Sequence, residues 1–210
     1  MTKISRRTFL KISGATLVAG GLVVLGATPP AISLPEMDYG EDQKMGKNIL
    51  VTYATKAGST AEVASVIAET LSKSGARVDL RPVKDVPSLE GYQAVVIGSA
   101  VRIGQWLPDA KALIQREQAQ LAGMPVAIFS VHMENLGEDE ASRQARVAYT
   151  APIHALVTPA AEAFFAGKID LSKLSFLERM MSKMMKSVDE DRRDWEAIRA
   201  WAAGLALDEK

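Results

Sequence analysis

The chain has 210 residues, 25 basic and 25 acidic side chains, a formal net charge of zero and no cysteine. Without cysteine there are no disulfides, thiolate metal sites, iron–sulfur clusters or cysteine nucleophile, and a chain this long supports one substantial core rather than two. Lys3, Arg6, Arg7 and Lys11 precede residue 32 with no acid among them, so the remainder carries a net charge of −4, which argues against generic nucleic-acid binding.

In chain order, residues 1–31 read as a leader. Ser5-Arg6-Arg7-Thr8-Phe9-Leu10-Lys11 precedes an apolar, Gly/Ala-rich run from Ile12 to Ala27, and the heptad resembles a twin-arginine export signal. That resemblance implies an exported protein, placed in the periplasm or on the outer face of the cytoplasmic membrane. Cleavage after Ala31 leaves 179 residues. With no clean A-x-A triplet nearby, an uncleaved anchor is the alternative, although the run falls short of the ~20 residues of a comfortable span. Residues 32–46, with Pro35 and the acids Glu36, Asp38, Glu41 and Asp42, read as a solvated linker before a domain over 47–210.

From residue 47 the pattern alternates strand and helix, as in a parallel sheet covered on both faces. The first strand is expected over Asn48 to Tyr53, followed by a helix from Ser59 to Ser74 with Val63, Ile67 and Leu71 on one face and Gly75 at its stop. Further strands are expected at Ala76 to Val83, Ala94 to Gly98, Val126 to Val131 and Pro159 to Phe165. Helices are expected at Pro108 to Leu121, Glu138 to Leu156 and Asp189 to Leu207, the last with Trp195, Ile198, Ala202 and Leu205 on its apolar stripe. Five strands in this rhythm suggest the order 2-1-3-4-5, with ligands beyond the C-terminal strand ends at the switch point between strands 1 and 3.

The stretch NILVTYATKAGST runs an apolar strand into a hydroxyl- and glycine-rich turn that opens a helix, which is where a phosphate is favoured by unpaired backbone N–H groups and the helix dipole. Thr55, Ser59 and Thr60 supply hydroxyls, and Gly58 permits a positive φ or close backbone approach. Neither GxxxxGK[ST] nor GxGxxG occurs, which sets aside nucleoside-triphosphate and dinucleotide loops. An ordinary capped strand-to-helix turn is the competing reading.

Thr55, Lys56, Ala57, Gly58, Ser59 and Thr60 occupy the T-x-T-G-x-T pattern, and the loop resembles the FMN-phosphate loop of flavodoxins, with Ala57 lacking the expected hydroxyl. The resemblance implies a flavodoxin-like three-layer α/β sandwich. It also implies FMN, for which export in the folded state is suited. It further implies that the loop after the third strand lines the flavin ring: Ser99, Ala100, Val101, Arg102, Ile103, Gly104 and Trp106, with Arg102 offsetting charge on reduced flavin and Trp106 as a stacking wall. Either residue is equally read as ordinary, Arg102 as a solvated charge and Trp106 as a staple. The loop after the fourth strand adds Ser130, Val131, His132 and Asn135. No catalytic side chain is assigned, since flavin N5 accepts a hydride without a protein base and His132 reads as a hydrogen-bonded loop histidine.

VVIGSAVRIGQW, the FSV at Phe129 to Val131 and DRRDWEAIRAWA together resemble the menaquinone-dependent protoporphyrinogen oxidase family, whose Met-rich helical insertion precedes the last helix. Here that insertion is Leu171 to Val188, with Leu174, Leu177, Met181, Met184 and Val188 on one stripe and Arg179, Lys183 and Lys186 opposite. Contact with anionic lipid, a cover over a quinone channel, and plain packing against the sheet all fit such a helix. The resemblance implies an oxidoreductase passing electrons to a quinone, possible substrates including porphyrinogens. A flavodoxin-type carrier serving a redox partner protein is the alternative.

Overall fold

The computed structural model describes residues 32, 34–40, 46–176, 179–180 and 188–207. The expected leader therefore lies outside the described residues, as do Leu177, Met181, Lys183, Met184 and Lys186 of the expected insertion helix. Among the described residues no helix is long and apolar enough to cross a membrane. The chain divides into two units, Ser33–Ile169 with Glu190–Lys210, and Met1–Ile32 with Asp170–Asp189.

The larger unit is built on a sheet of β1 (Met37–Tyr39), β2 (Asn48–Ala54), β3 (Arg77–Pro82), β4 (Ala94–Arg102), β5 (Gln105–Trp106), β6 (Val126–His132) and β7 (Ala161–Ala166). The main path runs β1-β3-β2-β4-β6-β7. Its five parallel members reproduce the expected order 2-1-3-4-5, and the architecture is the expected α/β flavodoxin-like sandwich. Two antiparallel additions differ from expectation. β1 pairs with β3 from within the stretch expected to be linker, and β5 folds back on β4.

Helices α1 (Ser59–Lys73) and α5 (Trp195–Ala203) cover one face, while α2 (Pro108–Arg116), α3 (Gln118–Leu121) and α4 (Glu140–His154) follow strands β5, β5 and β6. The central strands are buried on both faces and so read as continuous apolar runs, as in the all-buried pattern of β6. Alternate residues feed two cores. Val51, Tyr53, Val96 and Phe129 pack with Val63 and Ile67 of α1 and Ile198 of α5 on one side. On the other, Leu50, Val95, Ile97 and Ile128 pack with Leu113 and Ile114 of α2 and Ile153 of α4. Gly98 has a packing reason: a Cβ there would stand 2.0 Å from Cζ of Phe129, whose ring is interlocked with Phe165 and Trp201.

The last helix starts later than its periodicity suggests. Glu190–Asp191 forms a short strand, β9, antiparallel to β8 (Lys168–Ile169), and Asp194 then caps α5 by accepting from the N–H groups of Glu196 and Ala197. Arg193, half-buried at this junction with its side chain 4 % exposed, is ion-paired with Asp191 and with Glu62 of α1, both at 2.6 Å, and lies over the Trp195 ring.

In the smaller unit, Asp170 caps a single turn over Leu171–Lys173, and the Asp189 carboxylate accepts from the Leu171 N–H at 2.7 Å. Arg179 donates to the carbonyls of Ser172 and Leu174. Phe176, Met180 and Val188 are exposed.

Candidate functional site

Strands β2, β4 and β6 are adjacent and in register, with Ala54 opposite Ser99 and Ala100 opposite Val131. The segments that follow them therefore meet at one end of the sheet, which is where the sequence placed its three groups of candidates.

The turn between β2 and α1 is organised around Gly58, at φ 92°, the left-handed region that favours glycine. Its N–H donates to Thr55 Oγ1 at 3.0 Å, closing the turn, and a Cβ at Gly58 would meet no protein atom within 4 Å. The first backbone bond of α1 runs from Glu62 N–H to the Gly58 carbonyl, and no side chain caps the helix. The N–H groups of Ser59, Thr60 and Ala61 thus belong to the set that a helix start leaves for an external acceptor. Thr60 is buried, and among the described residues its Oγ1 has no hydrogen-bond partner. Ser59 Oγ accepts from the Lys168 N–H at 3.0 Å and so ties this turn to β8. Lys56 is exposed and Ala57 half-buried.

Beyond β4 the chain makes a two-residue turn. Val101 pairs with Trp106 and Arg102 with Gln105, leaving Ile103 and Gly104 at φ 51° and 69°. Both positive values fit the primed hairpin turn, whose usual occupants are Asn and Gly. Ile103 at the tip is 98 % exposed, Arg102 is exposed, and Ala100, Val101 and Gly104 are half-buried. Trp106 does not provide the expected stacking wall. Its indole is buried and its Nε1 donates to Ser130 Oγ at 2.8 Å, which fastens the hairpin to β6. Ser99 is likewise committed, with Oγ accepting from the Leu107 N–H at 3.0 Å. Ser99, Ser130 and Val131 are buried within their strands, so their side chains serve the scaffold rather than the crevice.

The loop after β6 is held by three side chains. His132 Nδ1 is 2.6 Å from the Glu134 carbonyl, a contact in which the nitrogen donates. Arg146 of α4 donates to the carbonyls of Asn135 and Gly137 at 2.7 and 2.6 Å. Asn135, at φ 57°, donates from Nδ2 to the Tyr149 hydroxyl at 2.5 Å. Burial pushes the His132 imidazolium down from the ordinary histidine range, with Arg146 acting in the same direction against the Glu134 carbonyl. The ring is therefore neutral near pH 7, packed edge-on against Tyr149 and Phe164. Arg146 and Tyr149 were not among the sequence candidates. They lie mid-helix, and only the fold shows that they reach back to this loop.

Beside the same loop is a cleft of about 480 Å³. His132, Leu136, Arg146, Glu162, Phe164 and Arg192 are among its walls. Among the described residues no cluster of His, Asp or Glu could hold a metal ion.

These features fit an FMN phosphate at the β2–α1 turn. An unpaired buried hydroxyl, a helix start without a side-chain cap, and a glycine opening onto free space stand together there.

The chain is 26 % identical over 169 residues to protoporphyrinogen IX dehydrogenase [quinone] of Escherichia coli strain K12, covering 75 % of this chain and 93 % of that one. It is 26 % identical over 171 residues to the protein of the same name from Leishmania major, covering 75 % and 74 %. Among solved structures, an archaeal flavodoxin aligns with a TM-score of 0.46 at 16 % identity, covering 76 % of this chain and 96 % of that one. Two-electron reduced Megasphaera elsdenii flavodoxin aligns with a TM-score of 0.46 at 13 % identity, covering 75 % and 99 %. The family model of the flavodoxin domain matches residues 50–196, and the chain belongs to that FMN-binding family.

Proposed function

We propose that this chain is an exported FMN-dependent oxidoreductase that withdraws electrons from a reduced donor of porphyrinogen type and delivers them to a quinone. The observation that carries this reading is the cleft beside the His132–Asn135 loop, because a pure carrier needs an exposed flavin edge and no second chamber. Phe164 offers it a flat apolar wall. Arg146 and Arg192 place positive charge in its walls, held there by the Asn135 and Gly137 carbonyls and by Glu190, beside the acids Glu138 and Glu162. The named relatives are quinone-linked protoporphyrinogen dehydrogenases, which supports the same direction of electron flow.

Bound FMN supplies reversible two-electron chemistry at its ring. The protein's part is positional. The N–H groups opening α1, with Thr55 and Thr60, bind the phosphate and fix the cofactor's depth. The Ile103–Gly104 turn bounds one side of the crevice. Arg146, Tyr149 and His132 occupy the carbonyls of the post-β6 loop, so that its N–H groups are presented in one arrangement. The donor loses two electrons and two protons in each cycle, and the quinone takes up both and leaves as the quinol. No side chain is assigned to move a proton, since the His132 Nδ1 proton is committed to the Glu134 carbonyl.

The export reading rests on the Ser5–Lys11 heptad. The second reading is a carrier for a protein partner, favoured by the commitment of the His132 Nδ1 proton to the Glu134 carbonyl.

Anaerobic incubation of the holoprotein with protoporphyrinogen IX and a water-soluble naphthoquinone separates them. Fluorescent protoporphyrin and quinol formed together and in proportion are the expected result. Formation of neither protoporphyrin nor quinol, with rapid electron exchange to a small redox protein, would leave the carrier.

A further inference from the structure

The first turn of α1 is held from outside by a second element of the same unit. β8 and β9 form a two-stranded sheet of their own, with Lys168 opposite Asp191 and Ile169 opposite Glu190. The Lys168 N–H donates to Ser59 Oγ at 3.0 Å. Two residues past β9, Arg193 reaches Glu62 at 2.6 Å. Ser59 and Glu62 bracket Thr60 and Ala61, so both holds fall on the residues whose N–H groups a helix start leaves open. Because it accepts from Lys168, the Ser59 hydroxyl has its own hydrogen left to donate.

Backbone contacts fix this small sheet against the turn. The Gly167 N–H donates to the His132 carbonyl at 2.8 Å, and the Arg192 N–H donates to the Gly167 carbonyl at 3.0 Å. A Cβ on Gly167 would stand 2.9 Å from Val131 Cγ1 and 3.4 Å from Ser59 Oγ, so the chain passes close beside the phosphate turn.

Charge is what this contact controls. Glu62 stands in the first turn of α1, where the helix dipole favours a carboxylate. A cofactor phosphate is a second anion at the same helix end, about one turn or 5.4 Å along the axis. Arg193 is the counter-charge. Its Nε and Nη2 donate to the two Asp191 oxygens at 2.8 and 2.6 Å, its Nη1 donates to Glu62, and its Cζ lies 4.4 Å from the Trp195 ring centroid. The guanidinium is thus the enclosed, fixed member of the cluster, and the exposed Glu62 carboxylate is drawn to it. Replacing an enclosed ion cluster by apolar groups is often neutral or stabilising, so its presence is weak evidence of a stabilising role. Its place beside the phosphate turn gives it another.

We propose that Arg193 is a positioning residue for the cofactor phosphate: it pins the Glu62 carboxylate and cancels its charge, so that the first turn of α1 accepts a phosphate dianion without repulsion from its own helix. The proposal rests on FMN binding at this turn and is independent of the electron donor and acceptor.

FMN and riboflavin share the ring and differ in the phosphate. Quenching of their fluorescence by apoprotein made from the full chain therefore separates a phosphate effect from a general one. The variants are Arg193→Met, whose long apolar side chain keeps contact with Trp195, Glu62→Gln, and the two together. In Arg193→Met the FMN Kd should rise about tenfold at low salt while the riboflavin Kd moves less than about twofold, the strength expected of an unpaired carboxylate near the surface. That loss should shrink at about 0.5 M potassium chloride, where the Debye length falls to about 4 Å. The double variant should return the FMN Kd to within about twofold of the native chain, since Asp191 still has Lys168 opposite it. Glu62→Gln alone leaves Arg193 paired with Asp191 and should bind FMN at least about twofold more tightly than the native chain. Equal weakening of FMN and riboflavin, a loss that salt does not relieve, a double variant no better than Arg193→Met, or a Glu62→Gln chain that binds FMN no more tightly than the native one would overturn the proposal. If Arg193→Met fails to fold, the Glu62→Gln titration decides. A native chain that binds FMN no more tightly than riboflavin would overturn the phosphate turn itself, and the proposal with it.

Discussion

Gly58 is the position at which stability and cofactor affinity can be pulled apart. Its φ of 92° strains any L side chain, yet a Cβ would touch no protein atom. In Gly58→Ala the strain is about 1–2 kcal/mol, which for a domain of this size lowers Tm by roughly 2–8 °C. The Cβ would project into the space an FMN phosphate needs. Loss of one charge-assisted N–H bond costs about 1.5–3 kcal/mol, which is roughly a 10- to 150-fold weaker Kd. Gly58→Asn adds the same obstruction with less strain, because asparagine visits the left-handed region more readily. Fluorescence titration with FMN and with riboflavin, alongside thermal melts, reads both quantities. Both variants should lose FMN affinity, Gly58→Ala should melt lower than Gly58→Asn, and riboflavin binding should hardly move. Unchanged FMN binding, or riboflavin and FMN weakening in parallel, would refute a phosphate cradle at this turn.

Other consequences follow from packing and charge. Gly98→Ala drives a Cβ into the buried Phe129 ring and should cost about 1–3 kcal/mol in chemical denaturation; Gly98→Ala with Phe129→Leu should recover part of that cost. His132 is buried with its pKa lowered, so the unfolded chain takes up protons first as pH falls. Stability should thus be full above the unfolded value of about 6.5 and decline below it, and His132→Gln should flatten that limb of a Tm-against-pH curve. Asp191 is held at about 2, chiefly by its hydrogen bonds from Arg193. The stability from that pair is present above the ordinary aspartate range and lost as pH falls towards about 2, an acid limb that Arg193→Ala should abolish. Near neutral pH Arg193→Ala should cost about 1–3 kcal/mol, because Glu62 and Asp191 resolvate while the packing of the guanidinium on Trp195 is lost.

Much of this was legible in the residues because the informative patterns are local. The β2–α1 turn is written in consecutive residues, and the alternating rhythm from Asn48 to Ala203 carries the parallel order. What escaped notice depends on distant pairing. Met37–Tyr39 is a three-residue strand among prolines and acids, and only β3, some forty residues on, makes it one. The β4–β5 hairpin hides because Ile103-Gly104 stands where Asn-Gly would have announced a primed turn. Trp106 looked like a wall for a ring; its buried tie to Ser130 is invisible until β4 and β6 are placed side by side. The start of α5 could have been read, since Asp194 before Trp195 is an ordinary N-cap, but the apolar stripe drew the boundary too early.

The most direct test of the account is the anaerobic reoxidation of the photoreduced holoprotein by a water-soluble naphthoquinone, followed by flavin absorbance in a stopped-flow instrument. The account predicts full return of the oxidised spectrum at a rate that saturates with quinone concentration and exceeds that of an equal concentration of free FMN. A rate linear in quinone and no faster than free FMN would contradict a quinone-linked oxidoreductase and leave a flavodoxin fold that carries electrons for another protein.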